Sequence, residues 1–153
     1  MLLNETGKTL KLADFGQSSS IKELHQKEKQ CQGTFLYMSP EMIKLIDKSN
    51  QNNDSLIYEK CDVYSWGITF WHCFTRNTPF DTCENKSQLI HKKQKILKIP
   101  DEIPQEFKQI LSLCILVNPN HRSDISTITN EVDRLREDKP DPDKIVHKQS
   151  QSK

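Results

Sequence analysis

Several things are missing from these 153 residues. No run of about 18 apolar residues occurs, so no membrane-spanning helix is expected. No Cys-x-x-Cys pair occurs either. The five cysteines, an odd number, stand at 31, 61, 73, 83 and 114. That suits reduced thiols and a cytoplasmic location rather than a disulfide framework. A zinc site from His72, Cys73, Cys83 and His91 lacks the spacing such sites use, and ordinary core and surface roles are expected for them. The formal net charge is only +1, which speaks against a general nucleic-acid binder or a polybasic membrane binder. Met1-Leu2-Leu3 is too short for a signal sequence and has no basic leader. There is no internal repeat. Apolar residues are only 34% of the chain, yet they are clustered, so a core is expected in places within a single domain.

What is present reads as one small hairpin followed by about five helices. Residues 3–8, with Asn4 and Gly7, read as a turn. Thr9-Leu10-Lys11-Leu12-Ala13 alternates polar and apolar like a strand, and residues 1–3 supply its partner. Residues 17–33 are polar and mixed in charge, which predicts a loop. Pro40 opens a short helix running to about Asp47. Residues 48–55 predict an exposed loop. Glu59 to Thr75 is the most apolar stretch. Val63, Trp66, Ile68, Phe70, Trp71, Cys73 and Phe74 cover most of a helix circumference, so it is expected to be buried on most sides and to end at Asn77-Thr78-Pro79. Residues 84–97 predict a Lys-rich helix. Pro104 starts another, with Phe107, Ile110, Leu111 and Cys114 on its apolar face. Ser123 or Asp124 caps a last helix with Ile125, Ile128, Val132 and Leu135 on one face. From Glu137 onward the chain is charged and predicts a disordered tail.

Four short elements stand in a fixed order. They are Asp14-Phe15-Gly16 after the strand, GTFLYMSPE from Gly33 to Glu41, EKCDVYSWGI from Glu59, and Asn118-Pro119-Asn120-His121-Arg122. Alone, Asp14-Phe15-Gly16 also suits an ordinary turn. Together the four resemble the C-terminal lobe of a protein kinase, over about residues 1–137. EKCDVYSWGITFW and TRNTPFD look most like a mitogen-activated protein kinase kinase kinase of the transforming-growth-factor-β-activated kinase type.

The resemblance implies a mainly α fold with a small N-terminal β-hairpin, a partial kinase domain over 1–137 and a tail over 138–153. It also implies ATP and Mg2+ as cofactors, and protein substrates or cascade kinases as partners, with no nucleic acid and no membrane. By the resemblance, Asp14 binds the magnesium that bridges the nucleotide phosphates, a task for a hard oxygen ligand. Phe15 packs differently in active and inactive states, and Gly16 gives the backbone freedom to switch. Residues 14–41 correspond to the activation segment, where Ser18, Ser19, Ser20 and Thr34 are candidates for phosphorylation. The three serines also suit a solvated loop. Ser39-Pro40-Glu41 stands where the family usually has Ala-Pro-Glu. Glu41 is expected to pair with Arg122. Asp62 is expected to brace the catalytic loop, though a helix-start aspartate is also favoured by the helix dipole alone. The Gly33-Thr34 start points to Ser/Thr substrates.

Other family parts do not occur in these residues: the glycine-rich loop, the strand lysine with its glutamate, and the His-Arg-Asp loop with its base and asparagine. His121-Arg122-Ser123-Asp124 is not that loop. Asp14 therefore supplies one ligand and no complete site, and the isolated chain is expected not to catalyse. Residues 1–3 fit the strand that follows the catalytic asparagine, so Met1 is expected to be an internal methionine of a longer kinase. The other reading is a non-catalytic kinase fragment that binds a cascade partner and competes with or regulates a complete relative.

Overall fold

The computed structural model describes residues 2–3, 10–18, 20, 34–47, 58–83, 85–95 and 97–137. The turn expected at 3–8, apart from Leu3, the loop at 48–55, the tail at 138–153 and most of the loop at 17–33 lie outside them. Two compact units divide the chain, Met1–Gly33 and Thr34–Lys153.

In the first unit, β1 (Leu2–Leu3) pairs antiparallel with β2 (Leu10–Lys11), with Leu2 opposite Lys11 and Leu3 opposite Leu10. The strand expected over 9–13 is therefore shorter, as suits a two-stranded ribbon that is marginal by itself. Past β2 the chain reaches Asp14 and makes one 3-10 turn, Phe15–Gln17. The Ser18 amide closes it by donating to the Phe15 carbonyl at 2.9 Å.

The second unit is helical. It holds α1 (Pro40–Asp47), α2 (Tyr58–Thr75), α3 (Lys86–Lys93), α4 (Gln105–Cys114) and α5 (Ile125–Glu137), with a 3-10 turn at Pro119–His121. Local chemistry sets the ends. At α1 the buried Ser39 hydroxyl accepts the Met42 amide at 3.4 Å, and Pro40 fills the first position, where an amide would have no helical partner. At α3 the Asn85 side chain accepts the Gln88 amide at 2.9 Å. That helix is shorter than the expected 84–97, because the Gln94 and Lys95 amides bond three residues back and tighten its last turn. Helix α2 ends at Thr75, as expected: Arg76 turns left-handed, φ 58°, and donates its amide to the His72 carbonyl.

Helix α2 lies at the centre of the unit, packed on α4, and α4 packs on α5. Its buried side includes Val63, Tyr64, Ile68 and Trp71. Gly67 lets α2 and α4 approach closely. A Cβ there would stand 2.6 Å from Cys114 Cβ and 2.9 Å from Ile115 Cγ2. The helix is not buried on most sides as its composition suggested. Cys73 and Phe74 are exposed, and Trp66 and Phe70 half-buried. These aromatics satisfy each other instead. Trp66, Phe70 and Phe74 step along one face at four-residue intervals with centroids 4.9 Å apart, and Phe107 of α4 lies 4.8 Å from Phe74. In α5, Ile128 is buried and Val132 and Leu135 pack on the core. Ile125, expected on the same face, is 54% exposed because it is the first residue of the helix and precedes the packed stretch.

Candidate functional site

The chemistry-bearing residues fall into two groups, one in each unit. In the first, Asp14 adopts a left-handed backbone, φ 71° and ψ 60°, a conformation aspartate tolerates better than most residues. Its carboxylate is exposed, and so are Leu10, Leu12 and Phe15, at 59%, 67% and 64%. Gly16 does not use the left-handed region. A Cβ on it would meet Asp14 Oδ1 at an ordinary 3.8 Å, so the unusual conformation here belongs to Asp14. Ser18 and Ser20 are exposed, while Ser19 lies outside the described residues. Magnesium is commonly held by one or two carboxylates together with waters and phosphates, and Asp14 suits one corner of such a shell. Among the described residues no three His, Cys, Asp or Glu side chains gather to hold a metal.

In the second unit, the structure brings Glu41 and Arg122 together across 81 residues of sequence. Arg122 Nη1 donates to Glu41 Oε1 at 2.5 Å and Nη2 to Oε2 at 2.8 Å, a bidentate pair. The remaining donors are also used. Nε bonds the Leu116 carbonyl at 2.7 Å, Nη1 the Lys60 carbonyl at 2.9 Å and Nη2 the Val117 carbonyl at 3.2 Å. A guanidinium has five N–H groups, and all five are satisfied. The Arg122 side chain is fully buried, with its Cζ 4.8 Å from the Tyr64 ring centroid. Lys60 completes the knot. Its Nζ donates to the Arg122 carbonyl at 2.7 Å and to Asp124 Oδ1 at 2.5 Å.

Burial raises the Glu41 pKa, but the hydrogen bonds and charge of Arg122 outweigh it, and the carboxyl is held below its ordinary range. The Cys61 thiol donates to Glu41 Oε1 at 3.3 Å, and burial pushes it up to about 12. Burial alone takes the Cys114 thiol to about 12 as well. Both are inert thiols rather than nucleophiles.

Asp62 stands exposed in the first part of α2, without a hydrogen bond or ion pair among the described residues. Partial desolvation, and then the neighbouring Glu59 charge, raise its carboxyl above the usual range. Thr34 is exposed at the head of a turn, its carbonyl accepting the Tyr37 amide at 3.1 Å. Tyr37 Oη and His72 Nδ1 are 2.8 Å apart.

Sequence reasoning passed over Lys60, Cys61 and Lys93. Lys93 is fully buried, and its ammonium donates to the Leu36 and Met38 carbonyls at 2.7 and 2.8 Å. Its spacing was the available signal: it follows buried Leu89 by four residues, on the face of α3 that turns inward.

The protein kinase domain family matches residues 1–132. A putative mitogen-activated protein kinase kinase kinase 7-like protein of Drosophila melanogaster is 29% identical over 95% of this chain and 36% of its own length. The dual specificity protein kinase shkA of Dictyostelium discoideum is 32% identical over 88% of this chain and 25% of its own. Human mitogen-activated protein kinase kinase kinase 11 is 28% identical over 84% and 14%. The chain thus spans about a third or less of these relatives. It belongs to the protein kinase family, and its relatives include mitogen-activated protein kinase kinase kinases.

Proposed function

We propose that residues 1–137 are the C-lobe part of a serine/threonine kinase of a mitogen-activated protein kinase cascade, and that 138–153 is a tail outside the domain. Asp14 is its magnesium ligand, with Phe15 and Gly16 beside it, and residues 14–41 are its activation segment. Ser18, Ser19, Ser20 and Thr34 are the positions at which phosphorylation acts. The observation that carries this reading is the clamp on Glu41. Arg122 spends both terminal nitrogens and its charge on the Glu41 carboxylate, at the end of that segment. Phosphoryl transfer is largely positioning and charge neutralisation, so a firm anchor at the end of that segment is what the chemistry requires.

The cofactors are ATP and Mg2+, and the substrates are proteins, among them cascade kinases. When bound, magnesium neutralises phosphate charge beside Asp14. Thr34 contributes to the catalytic centre, and Asp62 accepts backbone amides of the catalytic loop, a role supported by its having no hydrogen bond or ion pair among the described residues. The exposed Leu10, Leu12 and Phe15 side chains are apolar surface that the rest of a kinase domain covers. As a separate polypeptide, residues 1–153 do not transfer phosphate.

The test joins residues 1–153 to the glycine-rich loop, strand lysine and His-Arg-Asp loop of a relative. The fusion is expected to phosphorylate serine or threonine in a protein substrate with Mg2+ and ATP, and to lose this with Asp14→Ala. Transfer to tyrosine alone, or transfer unaffected by Asp14→Ala, overturns the reading.

A further inference from the structure

The stretch from Thr34 to Ser39 is held from a second side, by a residue whose type does not suit its burial. We propose that Lys93 is a positioning residue: its buried ammonium holds the Leu36 and Met38 carbonyls, so that the shape of residues 34–39 is set from α3. The functional weight of this rests on the reading of that stretch as the end of the activation segment.

Lys93 Nζ donates to the two carbonyls at 2.7 and 2.8 Å and lies 4.3 Å from the Phe80 ring centroid and 5.1 Å from that of Tyr64. The side chain has no exposed surface. Buried charges are normally paired with an opposite charge. Here the ammonium is bonded to no carboxylate among the described residues and is stabilised by carbonyl dipoles and ring faces. The dependence runs both ways. If the segment leaves, a buried cation is stranded. If the cation goes, two carbonyls on alternate residues of one short stretch lose their donor.

Among the described residues, few titratable or charged groups face this site. Glu41 comes from α1, Tyr64 from α2 and Cys83 from the connection before α3, while Arg122 stacks over the same Tyr64 ring. His72 of α2 reaches the same stretch through Tyr37. Burial lowers the Lys93 pKa to about 7, opposed by the charges of Cys83 and Glu41. The neutral amine has two N–H groups, enough for both carbonyls, and carries no cost of burying a charge. The closed site favours that form, so the hold on 34–39 firms as the pH rises through about 7.

The test follows the side-chain 13Cε signal of Lys93 and the carbonyl 13C signals of Leu36 and Met38 in isotope-labelled residues 1–153, from pH 5.5 to 9.5. The three are expected to share one midpoint. That midpoint should persist in His72→Gln, and the carbonyl titration should vanish in Lys93→Met. In Lys93→Met the Tyr37 amide should exchange about tenfold faster, with the Ile128 amide unchanged. Flat carbonyl signals while Lys93 titrates, a carbonyl titration that survives Lys93→Met, or unchanged Tyr37 exchange overturns the proposal. If Lys93→Met does not fold, the titrations of the unaltered chain and of His72→Gln decide alone. None of these signals depends on phosphate transfer, so a failed fusion assay and a failed titration refute different statements.

Discussion

The segment around Asp14 and the helical body from Thr34 to Glu137 are built on opposite terms. Around Asp14, a two-residue strand pair and one 3-10 turn leave a carboxylate and three large apolar side chains exposed. In the body, Arg122 has every donor bonded, Lys93 is wholly enclosed and Gly67 leaves no free room for a Cβ between α2 and α4. The exposed carboxylate of Asp14 sits in a lightly bonded turn, and the dense bonding is in the helical body. A phosphoryl-transfer enzyme needs both: a ligand free to meet the nucleotide and a body rigid enough to place the substrate.

The sharpest way to break this contrast is at the clamp. Arg122→Ala leaves the Glu41 carboxylate half-buried and unpaired, and should cost about 3–5 kcal/mol in urea unfolding followed by tryptophan fluorescence. A cost under about 1 kcal/mol would mean the knot at Glu41 does not hold the body together. A pH profile comes next. Between about 7 and 10.5, the unfolded chain keeps a proton on Lys93 that the folded chain has lost, so stability rises with pH. Above about 9 the unfolded chain loses protons that buried Cys61 and Cys114 retain up to about 12, so stability falls. The expected result is a gain of up to about 2–3 kcal/mol from pH 7 to 9, then a decline. Lys93→Met should remove the gain and keep the decline. Glu41, whose folded pKa is lowered, acts at the acid end: its contribution is present above its ordinary 4.5 and is lost as the pH falls through the folded value.

Two glycines give a smaller and cleaner comparison. Gly67→Ala forces a methyl against Cys114 and Ile115 and should cost about 1–3 kcal/mol. Gly16→Ala meets only ordinary contact and should change the unfolding of the body by no more than about 0.5 kcal/mol. Equal costs at both would erase the distinction between the two regions.

The same contrast separates what the sequence made legible from what it hid. Helix existence was readable wherever apolar residues recur at three and four, as in α4 and α5. The turn at Asp14 and the Ser39-Pro40 start of α1 were readable from residue types that do one job well. The pairing of Glu41 with Arg122 was expected through a family resemblance, since no local pattern links residues 81 apart. The three carbonyls that take the rest of the Arg122 donors were hidden, because backbone carbonyls leave no trace in side-chain composition. Lys93 was hidden for the opposite reason. In a Lys-rich stretch a lysine reads as solvated, and only tertiary packing tells it from Lys92 beside it. The aromatic row Trp66, Phe70 and Phe74 read as full burial, although aromatics that stack on each other need less cover from elsewhere.

The most direct measurement is phosphate transfer by purified residues 1–153, with Mg2+, labelled ATP and a protein substrate, run beside Asp14→Ala. A ligand without its surrounding site predicts the same background signal from both. Transfer above background that Asp14→Ala abolishes would contradict the account, because the exposed turn at Asp14 would then be a working site in its own right.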